Sequence, residues 1–213
     1  MRMKLITCLL LALIASTFAA PAAKGAAAKA PAGKAAPAPS EIKPLPPAVA
    51  DSLNWFAARE MGGANMPFTR AHLAKVAAGA NRVALVYFAT WCVPCRAGMK
   101  ALVNSRQELE QNGIKIILVN AGEREEAKIK KMVEGLGANV FPVVLDPYKR
   151  LSEGIGLVKE GENIALPMTL VVDKAAKPVF MIGQEGSDWP SVLWTKEVVG
   201  LENHLVNSKF TST

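Results

Sequence analysis

The 213-residue sequence predicts an α/β fold: a central mixed β-sheet flanked by α-helices, in a single domain. Three observations lead there. Apolar runs of strand length alternate with helix-patterned segments between residues 69 and 145, the signature of strand–helix–strand units. Two further strand-like runs, Met168–Val172 and Val179–Ile182, are separated by the turn-forming DKAAKP, so the sheet also has antiparallel members. Roughly 160 residues follow position 50, enough for a core that needs no disulfide stapling.

Residues 1–20, MRMKLITCLLLALIASTFAA, place Arg2 and Lys4 before an apolar stretch from Leu5 to Phe18 and then small residues, the layout of a secretory signal peptide. The stretch is shorter than the roughly 20 residues of a spanning helix, so cleavage near Ala19 to Ala22 is expected. Left uncut, residues 5–19 would tether the protein to a membrane. Cys8 within this stretch reads as a small apolar residue. Residues 21–48 are dominated by Ala, Pro, Lys and Gly, with no large apolar side chain before Ile42 and Leu45. They bury too little surface to offset their ordering entropy, and a disordered spacer is expected, with the domain spanning 49–213. The formal net charge is +7, yet Arg2, Lys4, Lys24, Lys29, Lys34 and Lys43 against Glu41 leave only two net positive charges from residue 44 onward. No basic stripe argues for nucleic-acid binding.

Within the domain, TRAHLAKVAAG has helical patterning, and the β-branched and aromatic run Val83–Ala89 reads as a buried strand. A helix follows from about Cys95 to Gln111, then a strand at Ile114–Asn120. The densest charge run, Glu123, Glu125, Glu126, Lys128, Lys130 and Lys131, belongs to a helix from about Glu123 to Leu136 and is explained by a solvated face, with Glu126 and Lys130 at pairing distance. A strand at Val143–Leu145 precedes the two strands already named. A last helix starts near Asp188 or Ser191, beside Pro190, and continues to about Val206, with Trp189 and Trp194 packing it against the sheet.

Two of the chain's three cysteines, Cys92 and Cys95, fall where the Val83–Ala89 strand gives way to a helix. The free amides and positive dipole end of that helix favour a thiolate, so Cys92 is the candidate nucleophile. A three-residue offset lets Cys95 resolve a mixed disulfide formed by Cys92. Pro94 is tolerated because first-turn amides lack intrahelical partners. Three other readings compete. Structural zinc needs four ligands, and only His72 and His204 stand elsewhere in the domain. A structural bridge closing two residues removes little unfolded-chain entropy. Two buried free cysteines this close would oxidise in an oxidising compartment. Redox chemistry is favoured.

Trp-Cys-x-Pro-Cys after an apolar strand resembles the thioredoxin superfamily, and within it the periplasmic TlpA-like and ResA-like thiol-disulfide oxidoreductases. VALVYFATWCVPCRAGM, FPVVLDP (Phe141–Pro147) and ALPMTLVVDKAAKPV carry the resemblance, which covers about residues 68–205. It implies a thioredoxin-like fold in which Pro167 is a cis-proline facing the cysteines. Leu166 would then offer its backbone as an edge for a substrate segment. Trp91 would shield the nucleophile; apart from the resemblance it is a half-buried aromatic at a strand end, and Pro167 a loop proline before a strand. The sequence also departs from the family. Val86 stands six residues before Cys92, where many relatives carry a buried carboxylate or polar residue. Gly98 and Lys100 replace a glutamate and a proline after Cys95. Both familiar proton carriers for Cys95 are thus missing. GLVKEGENIA (Gly156–Ala165) is longer than the family's usual approach to the cis-proline, a natural place for partner selection.

No cation stands between the cysteines to stabilise the reduced thiolate strongly; Arg96 is the nearest and is expected to be solvated. The expected function is therefore a dithiol reductant of exported proteins in the bacterial periplasm. No cofactor is needed beyond the Cys92–Cys95 disulfide, and no metal is expected. By resemblance, the partners are disulfide-containing exported proteins, apocytochrome c or a copper chaperone among them, with a membrane thiol-disulfide transporter as electron donor. Two alternatives stand beside it: a disulfide oxidant or isomerase using the same cysteines, and a non-catalytic metal or heme assembly chaperone.

Overall fold

The computed structural model describes residues 39–43, 45–46, 58–62, 67–184 and 189–194. In chain order they form β1 (Glu41–Lys43), β2 (Ala58–Glu60), β3 (Pro67–Phe68), α1 (Arg70–Ala78), β4 (Arg82–Phe88), α2 (Val93–Asn104), α3 (Arg106–Gln111), β5 (Ile114–Ala121), α4 (Glu126–Gly135), β6 (Val143–Asp146), α5 (Arg150–Gly154), β7 (Met168–Val172) and β8 (Pro178–Gln184). Short 3-10 turns stand at Ala138–Val140 and Ser191–Leu193. Among the described residues no helix is long and apolar enough to cross a membrane.

All of these strands share one mixed sheet, ordered β1-β8-β7-β4-β5-β6-β2-β3. β4, β5 and β6 are parallel; β7 joins β4, and β2 joins β6, antiparallel. β4 is buried along its whole length, which is why it reads as a continuous apolar run rather than an alternating one. Its alternate residues serve two cores. Ala84, Val86 and Phe88 pack with Met99 and Leu102 of α2, Leu109 of α3 and Ile129 and Val133 of α4. Val83, Leu85 and Tyr87 pack on the opposite face with Leu73 and Ala77 of α1 and Leu151 of α5. The mixed sheet between helical layers is as the sequence implies.

Several elements differ from the sequence reading. The segment 41–43, expected within a disordered spacer, is an edge strand antiparallel to β8. Its partly buried Ile42 packs on the first core, and Gly183 leaves the space in which the Lys43 stem lies, 2.7 Å from where a Cβ would stand. Proline and alanine on either side dilute this signal in any window average. The helix expected over Cys95–Gln111 is two helices, parted at Ser105, where φ −94° and ψ 13° leave the α region. It also starts earlier, at Val93, because Cys92 itself is the N-cap. α4 starts at Glu126, three residues late, since Gly122 turns the chain at φ +81° and the Glu123 amide donates to Asn120 Oδ1 at 3.3 Å. Glu126 does not pair with Lys130; its carboxylate takes Arg59 Nη2 at 2.8 Å. β2, β3 and α5 were not foreseen. Of the span expected as a last helix, Ser191–Leu193 is a 3-10 turn, tied to β4 by Arg82 Nη1 donating to the Leu193 carbonyl at 2.8 Å. The signal-type segment and the stretch to Val206 lie outside the described residues.

Two buried polar side chains test this packing. Asp146, 1% exposed, accepts from the amides of Leu151 and Ser152 at 3.1 Å each and from Ser152 Oγ at 2.9 Å, so it caps α5 from the end of β6. Burial pushes its carboxyl above the usual range, against the pull of those bonds. Asp146→Ala strips three buried donors of their acceptor and should cost on the order of 3 kcal/mol in denaturant unfolding. Thr169 is fully buried opposite Val86, and its hydroxyl has no partner among the described residues. Thr169→Val keeps the volume and removes a desolvated hydroxyl. It should raise the unfolding free energy by about 1 kcal/mol, read as a higher melting temperature.

Candidate active site

β4 ends at Phe88, and within four residues the chain turns into α2. The Cys92 amide donates to the Ala89 carbonyl at 3.1 Å, closing the turn. Cys92 then occupies the N-cap with φ −78° and ψ 101°, and its Sγ accepts from the Cys95 amide at 3.3 Å. An orphan first-turn donor thus points at this sulfur, at the positive end of a twelve-residue helix, an arrangement that would favour a thiolate there. Val93 and Pro94 fill the first two helical positions, where a missing N–H costs nothing. Cys92 and Cys95 are joined as a disulfide, with Cα atoms 5.4 Å apart, and both are 3% exposed.

Cys95 Sγ lies 3.9 Å from the Tyr87 carbonyl. The bridged sulfur has no proton to give, so this contact becomes a hydrogen bond only when the pair is reduced. Val86 is buried in the same core as the cysteines and brings no titratable group there. Gly98 is buried too, and its carbonyl accepts from Trp189 Nε1 at 3.4 Å, so an indole closes over this turn of α2.

The residues that sequence reasoning missed lie just before the nucleophile. Thr90, 3% exposed, donates its amide to Glu123 Oε2 at 2.7 Å and its hydroxyl to Glu123 Oε1 at 2.5 Å. Asn120, fully buried at the end of β5, donates to Glu123 Oε2 at 2.7 Å. Partial burial raises the Glu123 carboxyl, but the Thr90 hydroxyl, Asn120 and the Thr90 amide together outweigh it and hold the group below the usual carboxylate range. Arg96 is exposed as expected, yet its Nη2 also donates to the Thr90 carbonyl. The signal for this cluster was the Asn-x-Gly-Glu turn at a strand end, hidden inside a charge run.

The Leu166–Pro167 peptide is cis. Met168 pairs with Tyr87, so Pro167 stands at the end of β4 that leads to the cysteines. The preceding loop is anchored: Lys149 Nζ donates to the Glu162 carbonyl at 3.0 Å and to Asn163 Oδ1 at 2.6 Å, and Ile164 enters the second core. Leu166 packs partly against both cores. Trp91 is 65% and Val93 71% exposed, so Trp91 is an open aromatic rather than a half-buried one. His72 belongs to α1 on the opposite face of the sheet, and His204 lies outside the described residues. Among the described residues no three His, Cys, Asp or Glu gather as a metal site.

The geometry has parallels. A ResA thiol-disulfide oxidoreductase from Bacillus subtilis is 28% identical over 100 residues, 47% of this chain and 51% of that protein. ResA from Geobacillus thermodenitrificans is 30% identical over 95 residues, 45% of this chain and 50% of that protein. The chain therefore matches about half the length of these relatives. Among solved structures, a secreted thiol-disulfide isomerase from Corynebacterium glutamicum superimposes with a TM-score of 0.56 at 18% identity, over 70% of this chain and 86% of that one. A thiol:disulfide interchange protein of the thioredoxin family from Chlorobium tepidum gives 0.53 at 19% identity, over 74% and 98%. These likenesses show the fold, which is thioredoxin-like. The AhpC/TSA family profile matches residues 56–177, from β2 through the turn after β7, and the chain belongs to that family.

Proposed function

We propose that the protein is a thiol-disulfide oxidoreductase that works as a dithiol reductant of exported proteins in the bacterial periplasm. The observation that carries this is the Cys95 amide directed at Cys92 Sγ at 3.3 Å on the N-terminus of α2. In the reduced protein the Cys92 thiolate attacks one sulfur of a partner disulfide. A Cys92–partner bond forms, and the partner's other sulfur leaves as a thiolate that takes a proton from water. Cys95 gives up its proton and attacks Cys92 Sγ, which forms the Cys92–Cys95 disulfide and releases the partner's second sulfur. Two electrons pass to the partner, and a membrane thiol-disulfide transporter returns them.

The surroundings support this reading. A nucleophile 3% exposed does not meet solutes freely, so a disulfide has to be brought to it by the exposed Trp91 and Val93 and by the edge beside cis-Pro167. Arg96 is engaged by Thr90, and no histidine stands between the cysteines, so no side-chain cation is committed to the thiolate as a strong oxidant would require. The signal-type segment at residues 1–20 supports export. Cytochrome c maturation and copper delivery to an oxidase are the partner processes suggested by family resemblance.

The equilibrium reduction potential of the 92/95 pair in dithiothreitol or glutathione buffers tests the direction of flow. A value at or below about −200 mV is expected, and a value near −120 mV would make the protein an oxidant of exported proteins instead. In the same assays Cys92→Ser should abolish exchange with a model disulfide. Cys95→Ser should still attack but accumulate the mixed disulfide, trapped on non-reducing gels. A pair that forms no reversible bridge removes the enzyme reading and leaves metal binding to be measured by stoichiometry on the reduced chain.

A further inference from the structure

Glu123 lies outside the Cys-Val-Pro-Cys motif, yet its carboxylate takes every polar hydrogen that Thr90 offers. The amide arrives at 2.7 Å and the hydroxyl at 2.5 Å, while Asn120 supplies a third bond at 2.7 Å. Arg96 binds the carbonyl of the same residue. Thr90 is therefore held by an anion on its N–H side and a cation on its C=O side. Cys92 follows two residues later, and its amide is tied back to Ala89. The peptide that delivers the nucleophile to α2 is thus fixed by charge-assisted bonds at Thr90, one residue before Trp91.

We propose that Glu123 is a positioning residue for the nucleophile: through Thr90 it sets where Cys92 Sγ sits against the Cys95 amide, and so how readily the thiolate forms. This rests on the reading of Cys92 as the attacking thiol. A hydrogen bond to sulfur at 3.3 Å weakens steeply with small displacements, so a turn free to shift loses thiolate stabilisation before it loses its fold. Thr90 and Asn120 are buried, and without Glu123 their donors would be stranded, which makes the carboxylate the element that holds the turn in one place. The charged groups around the turn are Glu123 from the β5–α4 connection, Arg96 from α2 and Lys128 of α4, which acts on Glu123. Glu123, held below the usual carboxylate range, stays ionised across the range in which a cysteine titrates, so the two titrations do not overlap.

Two mechanisms predict opposite signs. As a nearby anion acting directly, Glu123 would repel the Cys92 thiolate, and its removal would make the thiolate easier to form. As a positioning group its removal makes the thiolate harder to form. The experiment is the pH dependence of alkylation of Cys92 in the reduced full-length chain, read by fragment mass spectrometry so that Cys8 and Cys95 do not contribute. Wild type, Glu123→Gln, Thr90→Val and the double variant are compared, each with a thermal melt.

The expected result is a Cys92 midpoint raised by about half a unit to one unit in Glu123→Gln, the size of a helix N-terminal contribution. Thr90→Val should raise it similarly, and the double variant no further, because both act through one contact. A lowered midpoint, an unchanged midpoint with a lowered melting temperature, or additive effects in the double variant would each overturn the positioning role. A wild-type midpoint near that of a free cysteine, about 8.5, together with no exchange with a model disulfide, would instead remove the functional reading beneath it.

Discussion

The chemistry proposed for this chain depends on one junction, where β4 stops and α2 begins and the Cys95 amide meets Cys92 Sγ. The junction is placed by burial. β4 is covered on both faces and hydrogen-bonded on both edges, parallel to β5 and antiparallel to β7, so its end cannot drift. α2 is pinned by Met99 and Leu102 on the same core that receives Ala84, Val86 and Phe88. A strand and a helix each fixed by apolar packing leave only residues 89–92 free to define the sulfur's position, and those are the residues that Glu123 and Arg96 take hold of through Thr90.

The parts legible in the sequence are those whose signal is local and repeated. The six apolar residues of β4, the turn DKAAKP and the pair of cysteines after Trp91 each carry their own pattern, and the structure places them as strand, hairpin turn and helix start. The turn shows why: Asp173 Oδ1 takes the Ala175 and Lys177 amides, chemistry contained within five residues. What was not legible depends on partners far along the chain. β1, β2 and β3 have two or three residues each and are strands only because β8, β6 and β2 respectively offer them an edge to pair with. α5 has five residues and a cap from Asp146 instead of an apolar stripe.

The candidate site divides the same way. Cys92, Cys95 and Pro94 announce themselves by spacing, and Pro167 by resemblance. Glu123 did not, because a carboxylate in a run of charges looks solvated until the 33-residue separation to Thr90 is closed by the parallel pairing of β4 with β5. Arg96 is exposed as expected, but its bond was not legible for a related reason: nothing in its neighbours says that a backbone carbonyl six residues earlier lies within reach.

The absence of a carboxylate at Val86 and at Gly98 shifts the burden of proton handling from side chains to the backbone. Cys95 Sγ faces the Tyr87 carbonyl at 3.9 Å, a group that can accept from a thiol and offers nothing to a thiolate. Cys92 has an amide donor, which does the reverse. Two sulfurs three residues apart thus meet main-chain groups of opposite character, a carbonyl from the end of β4 and an amide from the start of α2. That asymmetry is consistent with the proposed attacking role for Cys92 and resolving role for Cys95. It also makes the geometry of the turn, rather than a titrating side chain, the variable on which reactivity depends.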